Sequence, residues 1–251
     1  MKKLSASMFE ARISRAFLRG FKFLGMSAVG GVLAVSQLAC TNSRVSPVVR
    51  GPAASVAVGQ AGTTARPADF GSAHPSTQAR QMADGILRSG DHRGADFAII
   101  DKTDAFIYVF AANGMLRGSS AVLLGLAFGD DSVPDIGSRP IAAVRPEERT
   151  TPAGRFVAER GRNTSGEDVI WVDYDAAVSM HRVRATNPLE RRLERLATPT
   201  PNDNRISYGC INIPVAFYEA VVSPTFSAQG SLVYVLPEVR QLTQVFPFTR
   251  I

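Results

Sequence analysis

A cysteine that directly follows a glycine carries the most reactive chemistry in this sequence. Cys210 comes after Gly209 and shortly before Pro214, where a helix is predicted to begin. Backbone N–H groups in such a turn, with a helix N-terminus nearby, can lower the pKa of a thiol and can bind an oxyanion. Glycine also lets the backbone approach a substrate carbonyl closely. The pattern predicts a nucleophilic thiol, and the alternative is an inert buried cysteine.

A nucleophilic thiol needs a proton acceptor, which in proteins is most often a histidine. His181 is the only histidine inside the predicted β domain, because His92 precedes that domain and His74 lies in a predicted tether. We therefore expect His181 to be the general base of Cys210. The alternative is an ordinary surface or core histidine.

Other catalytic classes lack their usual patterns. The sequence contains no Gly-x-Ser-x-Gly elbow, no Gly-x-x-x-x-Gly-Lys phosphate loop and no spaced His/Cys set for zinc. Asp130, Asp131 and Asp135 form an acidic loop without the spacing of a calcium loop, which favours a turn over a metal site. We expect neither a cofactor nor a metal.

Two segments resemble one known family. Ser207-Tyr208-Gly209-Cys210-Ile211-Asn212 is similar to the Ser/Thr-His-Gly-Cys-hydrophobic-Asn signature of the L,D-transpeptidases, the YkuD-like catalytic domain. Thr151-Pro152-Ala153-Gly154-Arg155-Phe156 resembles the Thr-Pro-x-Gly-x-Phe strand entry of the same family. The two matches cover roughly residues 96–236, and His181 stands where the family has its upstream catalytic histidine.

The resemblance implies a mainly β domain whose cysteine attacks the L–D bond of a peptidoglycan stem tetrapeptide. The acyl group then passes to an amine or to water. By position, the resemblance makes Cys210 the nucleophile and His181 the base. It also assigns supporting roles, namely oxyanion donation by the N–H groups of Tyr208, Gly209 and Cys210, support of the loop or donor stem by Ser207 and Asn212, and orientation of the imidazole by the carbonyl of Arg182.

The sequence departs from the family pattern in three places. Tyr208 replaces the usual histidine before the Gly-Cys pair, and Arg182 stands where Gly or Ser is common. The interval between His181 and Ser207 is also longer than usual, largely because of the charged segment Asn187–Ala197. The first two changes should alter substrate contacts and pKa tuning more than the attack itself.

The inserted segment Asn187–Ala197 has the period of an amphipathic helix. Leu189, Leu193 and Leu196 fall on one side of it, and charged residues fall elsewhere. It is either a solvated decoration or a lid over the donor-stem groove. In a lid, the arginines that would face stem carboxylates are Arg191, Arg192 and Arg195.

The amino-terminal segment has the pattern of a secretory signal. Residues 1–22 hold six basic residues against one acidic residue, which is five of the net +6 charges, and no residue from Phe23 to Ala39 is charged. We predict a signal peptide at residues 1–39, with a transmembrane anchor as the alternative. The rest of the chain is nearly neutral, so no basic surface for nucleic acid is expected.

The signal ends in Gln37-Leu38-Ala39-Cys40, which resembles a lipoprotein processing site. Lipidation at Cys40 would tether the protein to a membrane in the periplasm, and cleavage after Ser36 is the alternative. If Cys40 is removed or acylated, Cys210 is left as a lone thiol in an oxidising compartment, and the alternative is a Cys40–Cys210 disulfide.

The remaining chain predicts a tether and one β domain. Residues 40–75 are rich in Ser, Thr, Ala, Gly and Pro and read as flexible, and residues 76–95 predict a helix capped by Ser76 and a linker. Residues 96–251 predict a mainly β sandwich or barrel with short helices. The predicted strands are 97–100, 105–110, 120–126, 154–160, 169–174, 177–183 and 231–236, and a helix is predicted at 214–222.

Taken together, the residues and the resemblance predict an exported L,D-transpeptidase that acts on peptidoglycan stem peptides through a thioester at Cys210. The first alternative is hydrolysis of the same substrates, by an L,D-carboxypeptidase or an amidase that releases wall-linked protein. The second is a wall-binding lipoprotein without catalysis, which the Tyr208 substitution leaves open. The presence of both Cys210 and His181 argues against the binding module.

Overall fold

The computed structural model of the chain describes residues 66–227 and 230–250. The predicted signal segment, Cys40 and most of the predicted tether lie outside the described residues. Within them, no helix has the length and apolar character needed to cross a membrane. The strands are β1 (Phe97–Asp101), β2 (Phe106–Phe110), β3 (Leu116–Ala121), β4 (Leu124–Gly125), β5 (Gly154–Val157), β6 (Glu159–Arg162), β7 (Asp168–Asp173), β8 (Val178–Arg182), β9 (Arg205–Ser207), β10 (Ile211–Ile213) and β11 (Leu232–Val235).

The helices are short apart from the first. They are α1 (Thr77–Ser89), α2 (Arg192–Ala197), α3 (Val215–Phe217), α4 (Ser223–Thr225) and α5 (Leu242–Val245), and a π-helical turn (Tyr218–Val222) joins α3 to α4. Single 3₁₀ turns lie at Ile136–Ser138, Ile141–Ala143, Pro146–Glu148, Pro188–Glu190, Pro201–Asn204 and Pro247–Thr249.

The larger sheet has five strands in the order β3-β2-β1-β11-β5, with β1 parallel to β11 and the other pairs antiparallel. Every residue of β1 is buried. Ala98 and Ile100 face one hydrophobic core, whereas Phe97 and Ile99 face another. Because both faces are covered, the strand is a continuous apolar run rather than an alternating one.

The second sheet has four strands in the order β10-β8-β7-β6. Its inward side chains, among them Ile170, Met180 and Ile211, share a core with Ile100 and Ile107 of the larger sheet. The two sheets therefore pack face to face, as in a sandwich. The prediction of a mainly β domain with short helices is confirmed.

Helix α1 covers the outer face of the larger sheet. Ser76 caps it, since its Oγ accepts a hydrogen bond of 3.0 Å from the Ala79 N–H. Phe70, in the stretch expected to be a flexible tether, is buried against the rings of Tyr108 and Phe110. An aromatic side chain therefore anchors the chain to the sheet before α1 begins, within the segment 40–75 that the sequence predicts to be a tether.

Two predicted element boundaries also differ. The third strand begins at Leu116 rather than Ser120, because Gly114 adopts φ = +81° in the turn after Phe110 and Leu116 already pairs with Phe110. The helix predicted at 214–222 continues to Thr225, through the π-helical turn that places Tyr218 and Val222 in the core.

The insert is not one helix. A 3₁₀ turn at Pro188–Glu190 is followed by Arg191 in the left-handed conformation, and α2 begins only at Arg192. Leu189 is 89% exposed and Leu193 58% exposed. The predicted apolar face therefore does not pack against the domain, and polar contacts hold the segment, as described below.

Candidate active site

The register of two parallel strands positions the predicted catalytic residues. In the pairing of β10 with β8, Ile211 lies opposite Met180 and Asn212 lies opposite His181. Cys210 directly precedes β10, so its thiol and the imidazole of His181 are on adjacent strands of the same sheet. The structure therefore brings the sequence-predicted nucleophile and base together.

A hydrogen-bonded turn presents the thiol. Ser207 Oγ donates to the Cys210 carbonyl oxygen at 2.6 Å and accepts from the Gly209 N–H at 3.1 Å. Thr151 Oγ1 donates to the Gly209 carbonyl oxygen at 2.8 Å. Gly209 has φ = +127°, and a Cβ there would lie 2.8 Å from the carbonyl oxygen of Thr150. Glycine is therefore required at this position on two separate grounds.

The thiol of Cys210 is partly exposed and unpaired in a disulfide among the described residues. Its Sγ lies 3.7 Å from Ser179 Oγ and 3.5 Å from the Ala177 carbonyl oxygen. Burial raises the pKa of the thiol, but the hydrogen bond and charge of His181 and the contacts with Ser179 lower it more. The pKa of Cys210 lies below its ordinary value, which favours the reactive thiolate.

The imidazole of His181 is oriented by the main chain. Its Nδ1–H donates to the Arg182 carbonyl oxygen at 2.8 Å. Because a carbonyl can only accept, this bond leaves Nε2 as the nitrogen that exchanges a proton with the thiol. Burial lowers the pKa of His181, but its interactions with Cys210 and the Arg182 carbonyl raise it above the ordinary value. A raised base pKa and a lowered thiol pKa both favour the thiolate–imidazolium form of the pair.

Cys210 and His181 open into a cleft of about 270 Å³. Apolar side chains make much of its wall, including Ile136, Ile141, Val144, Val169 and Trp171. Its polar lining contains no aspartate or glutamate and consists of Arg139, Asn163, Thr164, Ser179, His181, Arg184, Arg192, Ser207, Tyr208, Cys210 and Asn212.

One of the three backbone N–H groups predicted to bind the oxyanion already has a hydrogen-bond acceptor within the protein. The N–H of Gly209 already donates to Ser207 Oγ, so the candidates that remain are the amides of Tyr208 and Cys210. The ring of Tyr208 is 39% exposed at the cleft, and the guanidinium carbon of Arg149 lies 3.9 Å from its centroid. A stacked cation therefore accompanies the phenol that replaces the family histidine.

The side chain of Arg182 does not enter the cleft. Its guanidinium carbon lies 4.3 Å from the centroid of the Tyr218 ring, and it pairs with Asp168 and Glu219. The contribution of this residue to the site is thus its carbonyl oxygen, as the resemblance implies. The charge that the sequence places beside the base is neutralised on the outside of the sheet.

The arginines of the insert have different positions. Arg191 is exposed and pairs with Glu194, and Arg195 donates to the main-chain oxygens of Glu190 and Asp203. Neither is among the residues that line the cleft, whereas Arg192 is. Substrate binding by Arg191 and Arg195 stays a prediction from sequence, and the residue that the structure brings to the cleft is Arg192.

Asn212 is held on both ends of its amide. Its Oδ1 accepts from Arg192 Nη1 at 2.6 Å, and its Nδ2 donates to the Cys210 carbonyl oxygen at 3.1 Å. Asn212 belongs to the lining of the cleft, but its side chain is buried and both ends of its amide are bonded within the protein. The insert is thereby connected to the nucleophile's own peptide group.

Sequence reasoning missed several residues of the site. Ser179 and Ala177 contact the thiol, and no motif marks them. The acidic loop also has a different role from a simple turn, because Asp130 is buried and pairs with the buried Lys102. In the part of the chain that the structure describes, no three His, Cys, Asp or Glu side chains form a metal-ligand set.

Comparison with known proteins adds the following. No protein-family model matches the chain, and no curated protein does. Solved structures do match, at probability 1.00. One is an L,D-transpeptidase of Enterococcus faecium, at 14% identity and a TM-score of 0.32, with 57% of this chain and 50% of that chain covered.

Two more solved structures have similar values. The helical cell shape determining protein Pgp2 of Campylobacter jejuni matches at 16% identity and a TM-score of 0.38, covering 58% of this chain and 48% of the other. An L,D-transpeptidase from Mycobacterium tuberculosis matches at 16% identity and a TM-score of 0.34, covering 56% and 57%. The chain thus spans about half the length of these proteins. Two of the three carry the name of the family that residues 151–156 and 207–212 resemble.

Proposed function

We propose that this protein is a cysteine acyltransferase of the L,D-transpeptidase type that acts on peptidoglycan stem peptides. The observation that carries the proposal is the position of Cys210 beside His181 in an open cleft, because Cys210 directly precedes β10 and Asn212 of β10 pairs with His181 of β8. The mutual interaction of the two side chains also lowers the pKa of the thiol and raises that of the imidazole. A binding module has no need of such a pair. The two sequence motifs supply the substrate class.

The reaction follows from the geometry. The Cys210 thiolate attacks the carbonyl carbon of the L–D bond, and the amides of Tyr208 and Cys210 stabilise the oxyanion. The His181 imidazolium then gives its Nε2 proton to the leaving amine as the C–N bond breaks, which leaves a thioester. An incoming amine loses a proton to His181 as it attacks the thioester, and the thiolate is released. Water in place of the amine gives hydrolysis.

The test is incubation of the protein with a purified disaccharide-tetrapeptide, followed by mass spectrometry of the products. We expect a crosslinked dimer that has lost one terminal residue, and no product with Cys210→Ser or His181→Ala. A tripeptide without dimer would indicate the hydrolase. A third outcome is a folded protein that binds the muropeptide without turnover and whose thiol reacts no faster than free cysteine. That outcome would favour the wall-binding protein without catalysis.

The proposal includes export to the periplasm, with either lipidation at Cys40 or cleavage after Ser36. It is supported by the basic segment and uncharged run of residues 1–39. The mass of the mature amino-terminal peptide from expressing cells distinguishes the two. A diacylglyceryl mass at Cys40 indicates the lipoprotein, and an unmodified chain that begins at Gln37 indicates ordinary cleavage. An intact Met1 would contradict export.

A further inference from the structure

Apart from the Cys210–His181 pair, the charged side chains of the cleft lining are all arginines. Three arginines line it, and no aspartate or glutamate does. Each arginine pairs with a carboxylate that is not part of the lining, in the pairs Arg139–Glu148, Arg184–Glu167 and Arg192–Glu190. The cleft therefore presents positive charge to a ligand, while each guanidinium pairs with a carboxylate outside the cleft lining.

Arg139 differs from an ordinary paired arginine in one respect. Its Nη1 donates to both carboxylate oxygens of Glu148, each at 3.3 Å. Its Nε and Nη2 atoms are buried and have no hydrogen-bond partner among the described residues. An unpaired buried donor costs free energy, and two on one guanidinium call for a ligand or another explanation.

The unpaired atoms form the edge that suits a carboxylate. Nε–H and Nη2–H are parallel donors on one side of the planar guanidinium, and they match the two oxygens of a carboxylate. The side chain as a whole is partly exposed in the cleft, and its hydrogen bonds among the described residues are to Glu148. Nε and Nη2 are therefore the donors of Arg139 that remain for a ligand.

The partner of Arg139 is fixed in its charged form. Hydrogen bonds from the Arg145 side chain and main-chain N–H, with those from Arg139, lower the pKa of Glu148 to about 2. Glu148 therefore stays ionised at any pH at which the enzyme would work. Gly137, two residues before Arg139, packs so closely on the Asp175 carbonyl that a Cβ would lie 2.3 Å from it. The segment that bears Arg139 is thus seated on the turn that leads into β8.

We infer that Arg139 is a carboxylate-binding residue that selects an anionic donor peptide through its Nε/Nη2 edge. The inference rests on the proposed function, because a stem peptide that ends in a D-residue carries a carboxylate beside the bond that Cys210 would attack. The carboxylate would take the two donors that lack a partner, and the apolar walls would hold the rest of the peptide.

The first test needs no knowledge of the substrate. The full chain is alkylated at Cys210 with 3-maleimidopropionate and, separately, with its neutral amide. The quantity measured is the rate with the anionic reagent divided by the rate with the neutral one. The neutral reagent corrects for any change in the pKa of the thiol. In Arg139→Gln the ratio should fall roughly ten-fold or more. The matched control is Arg117→Gln, an exposed arginine outside the cleft lining that pairs with Asp96 and not with Glu148, for which the ratio should stay within about two-fold.

The outcomes are separable. An unchanged ratio in Arg139→Gln, or an equal fall in Arg117→Gln, overturns the inference, because net charge rather than this edge would then attract the anion. Arg139→Lys keeps the charge without the fork and should recover only part of the ratio. Full recovery would also overturn the bidentate assignment. If Arg139→Gln does not fold, the lysine variant alone decides, since it preserves the pair with Glu148.

A second measurement links the site to the reaction. With a disaccharide-tetrapeptide as the donor, Arg139→Gln should raise KM roughly ten-fold and change kcat little. The same peptide with its terminal carboxyl amidated should be as poor for the parent as for the variant. Turnover with an unchanged KM contradicts the inference alone. A fall in the maleimide ratio without any turnover supports the site and contradicts the proposed function.

Discussion

Arg192 donates a hydrogen bond of 2.6 Å from Nη1 to Oδ1 of Asn212, and thereby joins the insert to the strand that follows the nucleophile. Asn212 in turn donates to the carbonyl oxygen of Cys210. The inserted segment is thus more than a solvated decoration, because one of its side chains fixes a group that bonds to the peptide of the nucleophile.

This contact leads to the first prediction. Arg192→Gln should lower kcat/KM for the muropeptide roughly ten-fold, because a charge-assisted bond to Asn212 is lost while the fold is kept. The neighbouring Arg191 is exposed and pairs with Glu194, so Arg191→Gln should change kcat/KM less than about two-fold. Steady-state kinetics of both variants decide between the two arginines. Equal losses of kcat/KM in the two variants would instead support the predicted lid, in which both arginines face the substrate.

The second prediction concerns the pH dependence of thiol reactivity. Because His181 and Ser179 lower the pKa of Cys210, the thiolate persists to a lower pH than in free cysteine. The rate of alkylation by iodoacetamide should rise with pH through a midpoint below the ordinary value. In His181→Ala the midpoint should move up, and the rate at pH 7 should fall roughly ten-fold or more. An unmoved midpoint would show that the imidazole does not tune the thiol.

The third prediction tests the turn before the nucleophile. Gly209→Ala places a Cβ 2.8 Å from the Thr150 carbonyl oxygen at a φ of +127°, so the turn must shift. We expect loss of activity and return of the thiol to ordinary reactivity. The control is Gly166→Ala, which has φ = +78° but no atom within 4 Å of the added Cβ. It should be destabilised by about 1 kcal/mol and stay active, as chemical denaturation and kinetics would show.

The fourth prediction concerns the buried ion pair of Lys102 with Asp130. Asp130 also accepts hydrogen bonds from the N–H groups of Glu238, Val239 and Arg240. Asp130→Asn should lower the free energy of unfolding by roughly 3 kcal/mol, because a buried lysine loses a partner. Asp131 also pairs with Arg240 but is exposed, so Asp131→Asn should cost less than about 0.5 kcal/mol. Urea denaturation at pH 7 compares them.

The same carboxylate sets an acid limit on stability. Burial raises the pKa of Asp130, but hydrogen bonds from Arg240 and Glu238 and the charge of Lys102 bring it down to about 2, below its ordinary value of 3.8. The folded state thus prefers the ionised form, and the contribution is complete above about pH 4 and is lost as the pH falls toward 2. In Asp130→Asn this part of the acid dependence should be absent, which urea titrations across that range would reveal.

The sequence predicts those strands whose residue pattern directly reflects their burial. The runs at 97–100 and 105–110 are apolar on consecutive residues because both faces of the central strands are covered. The catalytic pair follows from residue type and motif. The three-residue strands β9 and β10 are too short to show a period, so they could not be assigned from the sequence.

The misses come from contacts between distant residues. The leucine spacing predicts one helix at 187–197, yet Arg191 turns left-handed, and Arg192 and Arg195 bond to groups outside α2. Lys102 and Asp130 look like loop residues, since nothing nearby in the chain shows that they meet in the interior. The unpaired edge of Arg139 is likewise a property of the packed segment.

The pairing of β8 with β10 ties thiol chemistry to cooperative unfolding. Cys210 directly precedes β10, and Asn212 of β10 pairs with His181 of β8. We therefore expect thermal fraying of the surface loops to leave the distance between thiol and imidazole unchanged, and only melting of the sheet to separate them. Rapid labelling at neutral pH should therefore persist up to the global transition and then slow, even though unfolding exposes the sulfur. Melting should therefore lower the reactivity of the Cys210 thiol, whereas melting raises the reactivity of most buried thiols.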